Sequence, residues 1–204
     1  MEQQNKTQTT FLAMPKLRRA DITLRQRVTL AWLIYRGRFA GASVSWLSKK
    51  TYFDRKTIRQ HLKKLAAKKY AVETEDGWVA IDNERYAHKD DRAEKQCCAS
   101  TTIVRRTKWF EGICYFRVNL PDRPIKNWTN HCLFMLVHYS KSFTSRRQTT
   151  TGIARMLGVS RASVIAAIDY LTTINAKGHG PWIAATSIIA DNGQKVGWRI
   201  SKLQ

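Results

Sequence analysis

The chain holds 204 residues, room for one ordinary domain or two small ones. Hydrophobic residues make up 43%, enough to exclude wholesale disorder, and 36 Lys and Arg against 15 Asp and Glu leave a net charge of +21. A surface this positive attracts polyanions, and no apolar run approaches the roughly 18–20 residues of a membrane span, so the expected partner is nucleic acid rather than a bilayer.

The charge is uneven. Residues 1–70 carry 17 basic and 3 acidic residues, residues 71–100 carry 4 and 8, and residues 101–204 carry 15 and 4. Two basic blocks flank an acidic island, which suggests two modules and a connector. Met1–Thr10 is rich in Gln, Asn and Thr without an apolar core, unlike a secretory signal. Four cysteines (Cys97, Cys98, Cys114 and Cys132) are too few to imply a disulfide framework. The expected setting is reducing and cytoplasmic.

Residues 1–19 read as a basic N-terminal arm. Its Lys16, Arg18 and Arg19 suit a DNA minor groove, and a disordered tail is the alternative. Leu24, Val28, Ala31, Trp32 and Tyr35 then recur on one face of a helix, with Phe39 four positions on. Leu47–Ile58 reads as a short helix, a tight turn and a second helix. Phe53 plugs the angle between them, Asp54 caps the second, and Ile58, His61, Leu62 and Leu65 form its core face. Tyr52 stands where such a turn prefers glycine. Ala71–Thr74 and Gly77–Ile81 flank Glu75-Asp76 as a hairpin. Residues 83–112 form the connector, with strands expected at Thr102–Val104 and Trp109–Val118.

The pattern then returns. Trp128, Cys132, Met135, Leu136 and Tyr139 repeat the helical spacing 104 residues later, with Phe143 where Phe39 stood. Ile153–Val164 is again helix, turn, helix, with Gly158 at the bend, Val159 as plug and Ser160 as cap. Val164, Ala167, Ile168 and Leu171 form the core face. Trp182–Ala190 and Lys195–Ser201 flank Asp191-Asn192-Gly193-Gln194, a second hairpin. Both closing strands begin Gly-Trp, at Gly77-Trp78 and Gly197-Trp198.

A helix, a helix-turn-helix and a β-hairpin, in that order, resemble the winged-helix family, and this chain resembles two in tandem. The resemblance covers roughly residues 20–82 and 113–202, and Leu157-Gly158-Val159-Ser160-Arg161 is its most specific part. It implies a mainly α fold with small β-hairpins, α+β in class. The expected domains are winged helices at 20–82 and 113–204. Tandem winged helices resemble replication initiators of plasmids and phages, which bind short repeats and recruit host machinery, and equally resemble transcriptional regulators. The absence of a visible effector or dimerisation domain tilts the expectation toward a replication or mobile-element role.

The resemblance implies where duplex DNA is read. The second helix of a helix-turn-helix enters the major groove with its N-terminal side chains at base edges. In the first module its outward stripe is Arg55, Lys56, Arg59, Gln60 and Lys63, with Thr57, Lys64, Lys68 and Lys69 placed for phosphates. In the second, Arg161, Ala162 and Ile165 face outward with Ala166 and Asp169. Ala and Ile suit thymine methyl groups, but an apolar stripe also suits a protein interface or a homodimer. Arg146, Arg147, Arg155, Ser163, Lys195 and Arg199 are the second module's expected phosphate contacts. The acidic first hairpin, with Glu73, Glu75 and Asp76, belongs away from phosphate. The resulting expectation is a sequence-specific, nucleoid-associated DNA-binding protein, compatible with homo-oligomers on repeated sites and with replication or transcription machinery as partner. An RNA partner fits less well, because A-form major grooves do not admit such a helix.

Catalysis is not expected. The carboxylates of residues 101–204 are Glu111, Asp122, Asp169 and Asp191, too dispersed for a two-metal site. There is no phosphate-binding Gly-x-x-x-x-Gly-Lys loop, and the cysteines lack paired zinc spacing. His131 and His138, seven apart, read as helix-surface or core-edge residues. No cofactor, metal or small-molecule effector is expected.

Overall fold

The computed structural model describes residues 11–15, 17, 21–36, 41–81, 115–119, 125–173 and 181–203. The chain is α+β, with seven helices and three two-stranded antiparallel sheets among the described residues. Strand β1 (Phe11–Pro15) comes first, followed by α1 (Leu24–Arg36), α2 (Val44–Thr51) and α3 (Arg55–Ala67). The hairpin β2 (Ala71–Thr74) and β3 (Gly77–Ala80) closes the first module. Strand β4 (Tyr115–Asn119) leads into α4 (Trp128–Tyr139), the short α5 (Lys141–Thr144), α6 (Thr150–Leu157) and α7 (Arg161–Thr172). The hairpin β5 (Ile183–Ile189) and β6 (Lys195–Lys202) ends the second module. No single helix among the described residues is long and apolar enough to cross a membrane.

Local chemistry sets the helix starts. Thr23 and Gln26 form a reciprocal box at α1: the Thr23 amide donates to Gln26 Oε1 at 3.0 Å and the Gln26 amide to Thr23 Oγ1 at 3.3 Å. Asp54 Oδ1 accepts the Thr57 amide at 2.8 Å, and Ser160 Oγ accepts the Ser163 amide at 3.1 Å. The inter-helix turns match in backbone despite their different residues. Gly158 has φ 66° and Tyr52 φ 61°, both left-handed, and each amide satisfies a carbonyl of the preceding helix. Tyr52 therefore takes the glycine conformation rather than replacing the turn with another.

The wings also match. Ala42 bridges Trp78 of β3, and Gln148, 106 residues later, bridges Trp198 of β6. Each hairpin thus gains a one-residue third edge from the loop ahead of its helix-turn-helix. The repeated Gly-Trp marks this joint: Ala42 and Trp78 exchange both backbone hydrogen bonds at 2.8 and 3.1 Å, and Gln148 and Trp198 at 2.9 and 2.7 Å.

Tertiary packing alters several expectations. The N-terminal arm is not free along its length, because β1 pairs antiparallel with β4 from Phe11–Asn119 to Pro15–Tyr115. Leu12 and Met14 are fully buried, and β1 packs on α1 as well as pairing with β4, so residues 11–15 join the two modules. Lys16, Arg18, Arg19, Phe39 and the connector 83–112 lie outside the described residues. The apolar spacing predicts one core face for α4, yet every residue from Thr129 to Val137 is buried. Leu133, Phe134 and Val137 lie off that face, and a helix apolar on all sides belongs in an interior. α4 fills that place because α7 packs on it from its own module and α1 from the other.

Candidate nucleic-acid interface

Helix α3 projects the expected stripe. Arg55, Lys56, Arg59, Gln60 and Lys63 are exposed, while Ile58, His61, Leu62 and Leu65 are buried. The helical period separates the two sets cleanly, so four cations and an amide are displayed without spoiling the core. Arg55 Nη2 donates to Ser45 Oγ at 3.3 Å, which joins the stripe to α2. Lys64 and Lys69 are exposed as well.

Two expected phosphate ligands are already engaged. The Thr57 hydroxyl donates to Asp54 Oδ2 at 2.6 Å. That bond, with the Thr57 amide, holds the exposed Asp54 carboxyl below its usual range, so an anion already occupies the start of α3. The Lys68 ammonium donates to the Asp21 carbonyl, and the Tyr70 hydroxyl donates to the Asp21 carboxylate at 2.8 Å. Lys68 thus ties the end of α3 to the segment before α1.

The second module displays different chemistry. Arg161, Ala162, Ile165, Ala166 and Asp169 are all exposed on α7, with Ile165 at 50%. Arg146, Arg155, Lys195 and Arg199 are exposed. Arg147 Nη2 donates to the Val196 carbonyl at 3.0 Å, and Lys195 Nζ lies 3.3 Å above the Trp198 ring, so both cations brace the wing. Ser163 has its hydroxyl 2.9 Å from that of Ser160, within the cap. In the first wing Glu73, Glu75 and Asp76 are exposed.

The seam between the modules holds residues that periodicity could not assign. Each helix-turn-helix turn packs on the first helix of the other module. From the first turn, Phe53 lies 5.6 Å from Trp128 and Tyr52 lies 5.8 Å from His131. From the second, the Leu157 and Gly158 carbonyls accept Arg25 Nε at 2.9 Å and Nη2 at 2.6 Å. The same guanidinium lies 3.9 Å over the Trp128 ring, and Trp32 stacks on His131 at 6.3 Å. The only sequence hint was an arginine in the first turn of α1 beside an otherwise regular apolar face. Arg25→Ala removes two charge-assisted hydrogen bonds and one cation–π contact. It should lower stability by about 2 kcal/mol, read as a lower urea midpoint, and an unchanged midpoint would refute the docking role.

His131 corrects its sequence reading: it is 3% exposed, inside the seam, and burial lowers its ring pKa to about 4. His61 is also lowered to about 4, first by burial and then by the charges of Arg25 and Lys64. Its Nδ1 lies 2.9 Å from Thr29 Oγ1. Cys132 is fully buried in α4, which pushes its thiol up to about 12, so it packs as a small protonated group. Cys97, Cys98 and Cys114 lie outside the described residues.

No protein-family model matches the chain, and no curated protein matches it. Among solved structures, ScpB from Mycobacterium tuberculosis is similar with a TM-score of 0.25 and 16% sequence identity, over 90% of this chain and 94% of that one.

Proposed function

We propose that the chain is a sequence-specific double-stranded DNA-binding protein without catalytic activity, replication-initiator-like, of a plasmid, phage or mobile element. The observation that carries this is the outward stripe of Arg55, Lys56, Arg59, Gln60 and Lys63 on the second helix of a helix-turn-helix, in a chain of net charge +21. A helix of this width fits the major groove, where Arg bridges the two acceptors of guanine and Gln pairs with adenine. Lys64, Lys69, Arg146, Arg155, Lys195 and Arg199 flank it as phosphate ligands, and Arg161, Ala162 and Ile165 read bases from α7. Thr57 and Ser163 act indirectly, through the caps they close with Asp54 and Ser160, which fix the start of each second helix.

Selection from a random duplex pool should yield a defined site. On that site Arg59→Ala should weaken binding by about 1–3 kcal/mol, with a much smaller effect on random duplex. Equal losses on both would remove Arg59 from base reading. A transcriptional regulator is the second reading of the same surface. Genome-wide mapping separates the two, since an initiator occupies an array of repeats and a regulator a lone promoter site. The half-exposed Ile165 supports a third reading, in which α7 binds protein. In that case Ile165→Glu abolishes an association while leaving DNA affinity intact.

A further inference from the structure

The seam encloses a cleft of about 320 Å³ that neither module forms alone. Arg25 and Gln26 of α1, Thr57, Gln60 and Lys64 of α3, and Arg155 of α6 face into it. Three cations and two side-chain amides converge there beside the hydroxyls of Thr23 and Thr57, the latter held by Asp54, and none of the described residues lining it is acidic. Such a lining suits an anion carrying several acceptor oxygens. Burial first, then the charges of Arg25 and Lys64, disfavour a proton on His61, which also lines the cleft, and the nearby Asp54 carboxylate opposes them only in part. Arg25 is held in place by the Leu157 and Gly158 carbonyls, so the positive wall on that side is preorganised. Gln60 and Lys64 are exposed on α3, one turn and less from Arg59 and Lys63, so the cleft is continuous with the base-reading stripe.

We propose that this cleft seats one backbone phosphate of bound duplex, held jointly by Lys64 of the first module and Arg155 of the second. The inference rests on the DNA-binding reading above and adds to it a single shared contact. Both helix-turn-helix units then engage one strand at one point, and their spacing along the DNA is set by the seam. Arg25 is a positioning residue in this arrangement, because its two carbonyl bonds carry the turn after Arg155 toward α3.

The test measures binding of the full chain to a random-sequence duplex over roughly 50–200 mM salt, for wild type, Lys64→Gln, Arg155→Gln and the double variant. Both side chains are exposed, and unchanged melting temperatures verify the fold. Each single change should weaken binding by about tenfold and lower the slope of log Kd against log salt by about 1. With one shared phosphate, the double variant should also lose about 1 in slope, and its loss in affinity should fall well short of the product of the single losses. A slope change of about 2 with multiplying losses overturns the shared seat while leaving DNA binding intact. No effect of Arg155→Gln overturns it likewise. Wild-type chain that fails to bind duplex overturns the DNA-binding reading and the seat with it. Inorganic phosphate distinguishes the source of the group: it should not displace the duplex at constant ionic strength, and displacement at millimolar phosphate would assign the cleft to a free phosphate instead.

Discussion

Between pH 6.5 and pH 4 the folded chain is expected to lose stability steeply, because three desolvated imidazoles resist the protons that the unfolded chain accepts. His61, His131 and His138 have ordinary values of 6.5 and folded values of about 4, lowered first by burial in each case. A depressed histidine pKa favours the neutral ring in the folded state. Stability is therefore complete above pH 6.5 and falls as pH falls toward 4, by about 1.4 kcal/mol per pH unit for each ring across that window. The three rings together remove a large share of the roughly 5–15 kcal/mol that holds an ordinary domain. His131 sits between Trp32 and Tyr52 in the seam, so its protonation should separate the modules as well as loosen them. Urea midpoints at pH 7 and pH 5 check this, with His61→Gln and His131→Gln as controls that each flatten the slope. Equal midpoints at the two pH values would show that the rings titrate freely.

Replacing Gly41 with alanine should damage the first module more than any surface substitution. A Cβ at Gly41 would lie 2.2 Å from the Asp76 carbonyl oxygen, 2.4 Å from its carbon and 2.7 Å from the Gly77 nitrogen. All three are backbone atoms, so no rotamer change relieves the overlap. The hairpin has to shift, and a shift breaks the pair of hydrogen bonds between Ala42 and Trp78. The expected loss is about 3 kcal/mol, near the upper end for overpacking. Gly197→Ala repeats the effect in the second module, where the added carbon would stand 2.7 Å from the Gln148 carbonyl oxygen. Gly193→Ala is the comparison, since its Cβ meets nothing within 4 Å and only its φ of 76° is strained, worth about 1 kcal/mol. Thermal melts of the three variants rank the effects. A Gly41→Ala protein as stable as Gly193→Ala would show that the wing does not depend on this close approach.

The wing joint also shows how sequence and structure divided the information. The pair Gly77-Trp78 and Gly197-Trp198 was visible as repeated letters, but its partners Ala42 and Gln148 share no chemistry and only 106 residues of spacing. A single backbone bridge needs no particular side chain, so nothing in the residues announced it. Conversely, Tyr52 departs from the turn pattern in its letter but not in its backbone.

For the candidate interface, the helical period placed Arg55, Lys56, Arg59, Gln60 and Lys63 outward, as the structure does, because burying the opposite face decides which side meets water. That period is silent on what an outward or edge side chain touches. Thr57 is taken by Asp54 and Lys68 by the Asp21 carbonyl. Arg25 reaches carbonyls 132 and 133 residues away.

Local sequence therefore determined the two modules: apolar spacing, caps and turn residues act within a dozen positions and specify each helix-turn-helix and hairpin. Only the tertiary structure decided how the modules meet, because β1 pairing with β4, the burial of α4 on every side and the clasp of Arg25 all join segments about a hundred residues apart. Contacts at that separation arise from shape and desolvation once both modules exist, and no short pattern in either segment encodes its distant partner.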